Sequence, residues 1–329
     1  MKPVGVVLFQ LGGPDSLDAV EPFLYNLFSD PDIIDFPLAR IARQPLARLI
    51  AANRAKKVRA HYAEIGGRSP IRELTERQAA ALQAELRPAL DARVVVAMRY
   101  WHPLTSQAIA ALQAERVEEL VLLPMYPQYS STTTGSSLRE WNRRAAFNGV
   151  PVRVIREFYR HPAYLEALAS RIHQTLARFE PAEGVHLVFS AHNVPVSVIA
   201  AGDPYRSQIE ETVALVIERG GWPQPAHLCY QSKVGGARWL EPTLEQTIAQ
   251  LAAGGVSRLL IVPIAFVSDH VETLSEINIE ARAQAARAGI RQFEMMPGLN
   301  DSPPFIRALA ELVKSALRNQ APILTASEH

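Results

Sequence analysis

PLTSQAIAALQAERVEELVLLP at residues 103–124 and PTLEQTIAQLAAGGVSRLLIVP at residues 242–263 align without a gap. Identical residues fall at Pro103/Pro242, Gln107/Gln246, Ile109/Ile248, Ala110/Ala249, Leu112/Leu251, Ala114/Ala253, Val117/Val256, Leu120/Leu259 and Pro124/Pro263, all at one offset of 139 residues. In each copy the apolar positions first recur at helical spacing and then run unbroken into proline, which reads as a helix feeding a strand. The same alternation extends outward. Apolar runs at 4–10, 94–99, 120–125, 152–155, 185–191, 226–231, 259–264 and 292–296 are separated by helical patterns at 71–86, 105–116, 164–178, 207–219, 244–253 and 276–288. Continuous rather than alternating apolar runs suit parallel strands covered on both faces. The fold class expected is α/β, with βαβ units in doubly wound parallel sheets. The repeat implies two similar domains, 1–163 and 164–329, with 126–130 and 265–269 at equivalent strand ends. Such ends facing one another would enclose a cleft, and ligands of open α/β sheets bind at that end of the strands.

Length and composition agree with this frame. A chain of 329 residues exceeds one modest core, and 48% apolar with 20% charged residues is the balance of a globular enzyme. With 34 basic against 33 acidic residues there is no global field to recruit nucleic acid. No apolar run is long enough to span a bilayer, and Lys2 leads directly into a strand pattern, so a cytoplasmic chain without a signal peptide is expected. The single cysteine, Cys229, excludes an intrachain disulfide and a cysteine-held iron–sulfur cluster, and its apolar surroundings read as a packed thiol.

The segment 262–276, VPIAFVSDHVETLSE, releases Asp269, His270, Glu272 and Glu276 from a strand end. Asp269, Glu272 and Glu276 at i, i+3 and i+7 would share one helical face. Such a row either handles a cation or protons, or is a solvated acidic start of a helix, where the macrodipole favours carboxylates. Four other segments sit at strand ends. LGGPD at 11–15 lets backbone approach a ligand but lacks phosphate-loop spacing. YPQYSSTTTGSS at 126–137 is rich in hydroxyls, either for an anion or as helix caps. FSAH at 189–192 delivers an imidazole, and YQSKVG at 230–235, with Trp239 after it, delivers a cation and a large ring. His61, His161, His173, His186 and His329 read as structural, whereas His192 and His270 both leave strand ends. Imidazole with carboxylates, and no thiolate, is a ligand set compatible with ferrous iron held transiently.

One region has no strand pattern. Between Asp15 and Ala60, Phe23, Leu24, Leu27, Phe28, Ile33, Ile34, Phe36, Leu38, Ile41, Leu46, Leu49 and Ile50 crowd together, with Arg40, Arg43, Arg48, Arg54, Lys56, Lys57 and Arg59 interleaved with the second half of them. This is either a core helix pair with a basic face or an apolar lip for a flat ligand and a membrane surface. Pro22, Pro31, Pro37 and Pro45 are expected to divide it into jointed pieces.

Taken in order, LGGPD, IGGRSPI at 65–71, MRYWHP at 98–103, YPQYSSTTTGSS, FSAHNVP at 189–195, YQSKVG with WLEPT at 239–243, PIAFVSDHVETLSEI at 263–277 and LNDSPPFI at 299–306 resemble the ferrochelatases. That family inserts ferrous iron into a porphyrin. The resemblance covers nearly the whole chain and implies two Rossmann-like domains around a porphyrin cleft. It implies His192 and Glu272 as the metal-site pair, with Asp269, His270 and Glu276 as a supporting relay. It also implies Arg99, Tyr100, Tyr126, Ser130, Trp239 and Phe266 as pocket residues, with Arg54, Tyr62 and Ser69 at the lip and propionate region. On this reading His192 is neutral near pH 7 and accepts a pyrrole proton or holds iron. Porphyrin and ferrous iron are substrates, no cofactor is permanently bound, and a peripheral membrane contact runs through the lip. Asn193-Val194 stands where many relatives have Ser-Leu. Ser131 stands where cluster-bearing relatives place a cysteine, so no iron–sulfur cluster is expected. Leu11 stands where relatives using coproporphyrin III often carry tyrosine, which favours protoporphyrin IX and haem b as product. The alternatives are a coproporphyrin III ferrochelatase and, more remotely, a cobalt or nickel chelatase or a tetrapyrrole carrier.

Overall fold

The computed structural model describes residues 2–31, 39–147, 149–233 and 236–318; residues 32–38 of the expected lip, with Pro37, and Val234-Gly235 lie outside the described residues, as does His329. Residues 1–126, 130–157 and 306 onward form one compact unit, and residues 127–129 and 158–305 form a second.

In the first unit β1 (Pro3–Gln10), β2 (Asp91–Met98), β3 (Glu119–Pro124) and β4 (Val152–Val154) pair in the order β2-β1-β3-β4, all parallel. In the second, β5 (Val185–His192), β6 (Ala226–Gln231), β7 (Arg258–Pro263) and β8 (Gln292–Met295) pair as β6-β5-β7-β8, again all parallel. Every apolar run of the sequence is a strand, and the two sheets share one topology. In each, the winding reverses after the second strand, which puts a switch point between β1 and β3 and another between β5 and β7. The central strands are buried throughout, as at Val6, Val7 and Leu8 in β1 and Leu259, Leu260 and Ile261 in β7.

The repeated stretch has the same local chemistry in both units. Helix Thr105–Ala114 leads to β3 and helix Leu244–Ala253 leads to β7. Gln107 Oε1 accepts from the Leu104 N–H at 2.7 Å, and Gln246 Oε1 accepts from the Thr243 N–H at 2.8 Å. Thr243 Oγ1 returns the bond to the Gln246 N–H, completing a capping box that Leu104, lacking an acceptor, leaves half made. Leu112 and Leu120 pack together in the first unit, and Ile248 and Leu259 in the second.

Two expectations are corrected. The domain boundary falls at Phe158, and the C-terminal helix Pro303–Arg318 joins the first unit from Ile306, burying Ile306, Leu309 and Val313. The sequence repeat carries no information about where a helix outside it packs. Pro45, expected to break the lip, lies inside the helix Ala39–Glu64. A proline there forfeits one backbone hydrogen bond, while the downstream stripe Ala47, Ala51, Ala55 buries completely on one helical face. This helix packs against helix Val20–Ser29, which buries Val20, Phe23, Leu24 and Phe28. Leu49, by contrast, is 59% exposed, so the described part of the region is a core helix pair that still shows an apolar side chain to solvent.

Candidate active site

In the second unit β5, β6 and β7 end side by side at His192, Gln231 and Pro263. His192 is two-fifths exposed (40%), and its Nδ1 lies 2.8 Å from Glu272 Oε2. An ionised carboxylate only accepts, so Nδ1 donates and Nε2 is left to meet a ligand. The Ser232 hydroxyl lies 3.2 Å from Glu272 Oε2 and 2.5 Å from Glu276 Oε2, and the Ser232 N–H donates to Glu276 Oε1 at 2.8 Å. Ser232 holds this position with a left-handed φ of 65°. His270 Nε2 is 3.9 Å from Glu272 Oε1, and the Phe266 ring lies 4.4 Å from the His270 ring and 6.2 Å from that of His192. The Asn193 side chain makes paired bonds to the Leu240 backbone, accepting at 3.0 Å and donating at 3.1 Å. That bracket, with a bridge between Pro195 and Trp239, fixes the Trp239 strand beside the end of β5. The Trp239 indole N–H is buried without a protein partner.

The three-carboxylate row is replaced by two separate arrangements. Residues Glu272–Ala281 form a π-helix, whose wider turn departs from the α-helical spacing, and Asp269 precedes it. Asp269 instead accepts from the Gly298 N–H at 3.0 Å, Asn300 Nδ2 at 2.8 Å and Thr273 Oγ1 at 3.1 Å. Glycine is needed at 298 because a Cβ would lie 2.9 Å from the Asp269 nitrogen. Burial alone would raise Glu272, but the His192 charge and hydrogen bond, with His270 and Ser232, hold it well below the usual carboxylate range. Burial, together with the Glu272 charge, pushes Glu276 up to about 7. For His192, burial opposes the imidazolium, yet Glu272 and Glu276 outweigh it and raise the pKa. The ring therefore holds its proton more tightly than a free imidazole does. The set holds one proton donor–acceptor pair and a second carboxyl poised to titrate near neutrality.

In the first unit the strand ends carry a different cluster. Arg99, with a side chain 11% exposed, lies 2.7 Å from Asp30 and donates to Ser136 Oγ at 2.9 Å. The buried Tyr100 hydroxyl donates to Asp30 at 2.5 Å, and burial followed by the Asp30 charge raises its pKa. Tyr126 is half-buried beside Ser137 and Arg99, and its pKa is raised by burial. Ser130 is fully buried and accepts from the Thr132 N–H as the cap of the short π-helix Ser131–Gly135, which is the capping role its sequence allowed. The Leu11 carbonyl accepts from the Tyr100 N–H. Ser69 donates its N–H to the Pro14 carbonyl, and its hydroxyl sits where a side chain at Gly13 would be, 2.5 Å from a Cβ. Tyr62 is buried, and the half-buried Arg54 guanidinium stands 5.5 Å from the Phe28 ring, where burial lowers its pKa. Asp30 and the bridging role of Ser232 were not anticipated. Ser232 lies inside a quoted motif, whereas Asp30 lies 69 residues before Arg99 and carries no local signal.

Two parallel sheets of one topology with flanking helices are the fold shared with solved chelatases. SirB from Bacillus subtilis with Fe3+ superposes with a TM-score of 0.58 over 97% of both chains at 12% identity, and CbiX, described as the terminal enzyme for siroheme biosynthesis in denitrifying bacteria, with 0.51 over 96% of this chain and 99% of its own at 14%. These likenesses establish the fold. The Ferrochelatase family model matches residues 3–317. Ferrochelatase from Geotalea daltonii is 50% identical over 95% of this chain and 98% of its own, and that from Thermosynechococcus vestitus 48% over 95% and 82%. The chain belongs to the ferrochelatase family: it is a porphyrin metal chelatase that inserts ferrous iron.

Proposed function

We propose that the porphyrin is protoporphyrin IX, that the product is haem b, and that His192 and Glu272 carry the insertion. The observation that supports the site assignment most directly is the His192–Glu272 contact at 2.8 Å, linked through Ser232 to Glu276. Insertion removes two pyrrole N–H protons as iron(II) takes their place. His192 Nε2 accepts a proton once the ring is neutral, and the Glu272 contact steadies the imidazolium that results. Glu276, titrating near 7, takes up the second proton, which Glu272 cannot hold because it stays ionised against His192. His270 and Phe266 brace the pair, and Trp239 presents a large ring from the neighbouring strand end. Asp269 acts through the loop it ties to Gly298 and Asn300. Arg99, Tyr100, Tyr126, Ser130, Leu11, Arg54, Tyr62 and Ser69 shape the porphyrin-binding side of the first unit.

Leu11 supports protoporphyrin because it lacks the hydroxyl that coproporphyrin-using relatives place there. No resident cofactor or iron–sulfur cluster belongs to this reading, since Cys229 is buried with a thiol pushed up to about 12 by burial. A peripheral membrane contact through the exposed Leu49 and neighbouring cations completes it; among the described residues no helix is long and apolar enough to cross a bilayer. The test is anaerobic insertion of ferrous iron into protoporphyrin IX and coproporphyrin III, followed by absorbance. Faster turnover of protoporphyrin is expected, and a preference for coproporphyrin overturns the substrate assignment. His192→Ala should abolish insertion while porphyrin binding survives, and near-normal turnover overturns the site assignment.

A further inference from the structure

The opposite end of the second sheet carries a pair of histidines that the insertion chemistry does not use. β5 and β6 run in parallel with Leu187 opposite Ala226 and Val188 opposite His227. His186 and His227 therefore stand on one face of the sheet, one diagonal step apart. Their rings are parallel within 2°, their centroids are 5.1 Å apart, and His186 Nδ1 lies 2.9 Å from His227 Nε2. Both side chains are half-buried, next to the fully buried Val188 and Leu259 of the same sheet. His186 on its own reads as structural; with His227 it makes two imidazoles joined by one hydrogen bond between ring nitrogens.

We infer that His186 and His227 form a two-imidazole binding site for a divalent transition-metal ion. His192 lies six residues further along β5, so this site stands roughly 20 Å from it. Metal–imidazole bonds of about 2.0–2.1 Å at a tetrahedral ion need nitrogens about 3.3 Å apart, so the 2.9 Å pair has only to open slightly. Rotation of the rings turns both lone pairs toward a common point, and the ion takes the place of the shared proton. Burial lowers the pKa of both rings, with His186 adding to the effect on His227, so they are available as neutral donors. Imidazole without thiolate suits zinc, nickel, copper or ferrous ions. Two protein donors leave the remaining positions to water, which makes the ion exchangeable rather than structural.

The inference does not depend on the assignment of His192, and the experiment separates the two. Zinc is titrated calorimetrically into the full chain carrying His192→Ala, and into the same chain with His186→Ala or His227→Ala added. The expected result is a stoichiometry one equivalent lower in both doubly substituted chains. Equal stoichiometry in all three overturns the site. To remove any dependence on how the variants fold, substoichiometric nickel is added to the unsubstituted chain with labelled histidines. Broadening of the His186 and His227 ring signals together is expected; broadening confined to other histidines overturns the site.

Discussion

Ser232 touches both glutamates, so it governs how negative charge is divided between them. Its hydroxyl lowers the proton affinity of Glu276, against burial and the Glu272 charge that raise it. In Ser232→Ala the backbone N–H remains and the hydroxyl is lost, so Glu276 titrates higher still. The pH–rate profile of iron insertion should move alkaline by about one unit, with kcat at neutral pH falling about tenfold. A profile that does not move would leave Ser232 as packing only. Asp269 presents the contrary case. Its three acceptor contacts serve the Gly298–Asn300 loop and Thr273. Asp269→Ala strands those donors and should cost about 3 kcal/mol, read by urea denaturation, while insertion per folded molecule stays within about twofold. A collapse of kcat with stability intact would restore Asp269 to the proton relay. The sequence could not separate these roles, because Asp269 finds two of its three partners about 30 residues downstream, beyond any local periodicity.

Elements built from local chemistry were the legible ones. The strands among the described residues appear as apolar runs because parallel strands are covered on both faces, and the repeat at 103–124 and 242–263 marks the helix–strand unit leading into the third strand of each sheet. The π-helix at Glu272–Ala281 was not legible, since nothing in ETLSEINIEA distinguishes i→i+5 from i→i+4 bonding. Asp30 was equally hidden. It caps the end of helix Val20–Ser29 and fastens it to Arg99 and Tyr100 after β2 and to Ser136 at the start of helix Ser136–Arg144. With its side chain 1% exposed and that of Arg99 at 11%, this is a buried ion pair whose one-sided removal leaves Arg99 with only the more distant Glu140 carboxylate, at 4.0 Å. Asp30→Asn should therefore destabilise the chain by about 3 kcal/mol, measured by chemical denaturation. A loss under about 0.5 kcal/mol, the ordinary range for a surface change, would show that the cluster is not what joins these elements.

For the whole molecule, the charged groups of the second unit give stability a predictable pH dependence. Glu276 titrates near 4.5 when unfolded and at about 7 when folded. Between those values the folded chain binds more protons, so stability is greatest below the unfolded pKa and is lost as pH rises through the folded one. His192, also raised, acts in the same direction from its unfolded value of 6.5 upward. Glu272 is depressed and acts oppositely, its contribution being lost only as pH falls below 4.5. The three together place the stability maximum on the mildly acidic side and predict a decline toward pH 8. A fall in Tm of about 5 °C from pH 5 to pH 8 is expected. Glu276→Gln, neutral at every pH and still able to accept from Ser232, should flatten the part of that fall between 4.5 and 7 and, by removing one of the two charges that raise His192, should also shrink the His192 part. Thermal unfolding of both chains across this range is the measurement. An equal decline in the two would mean that Glu276 loses its proton in the folded state no later than in the unfolded one, and that it does not hold the proton its position beside Glu272 requires.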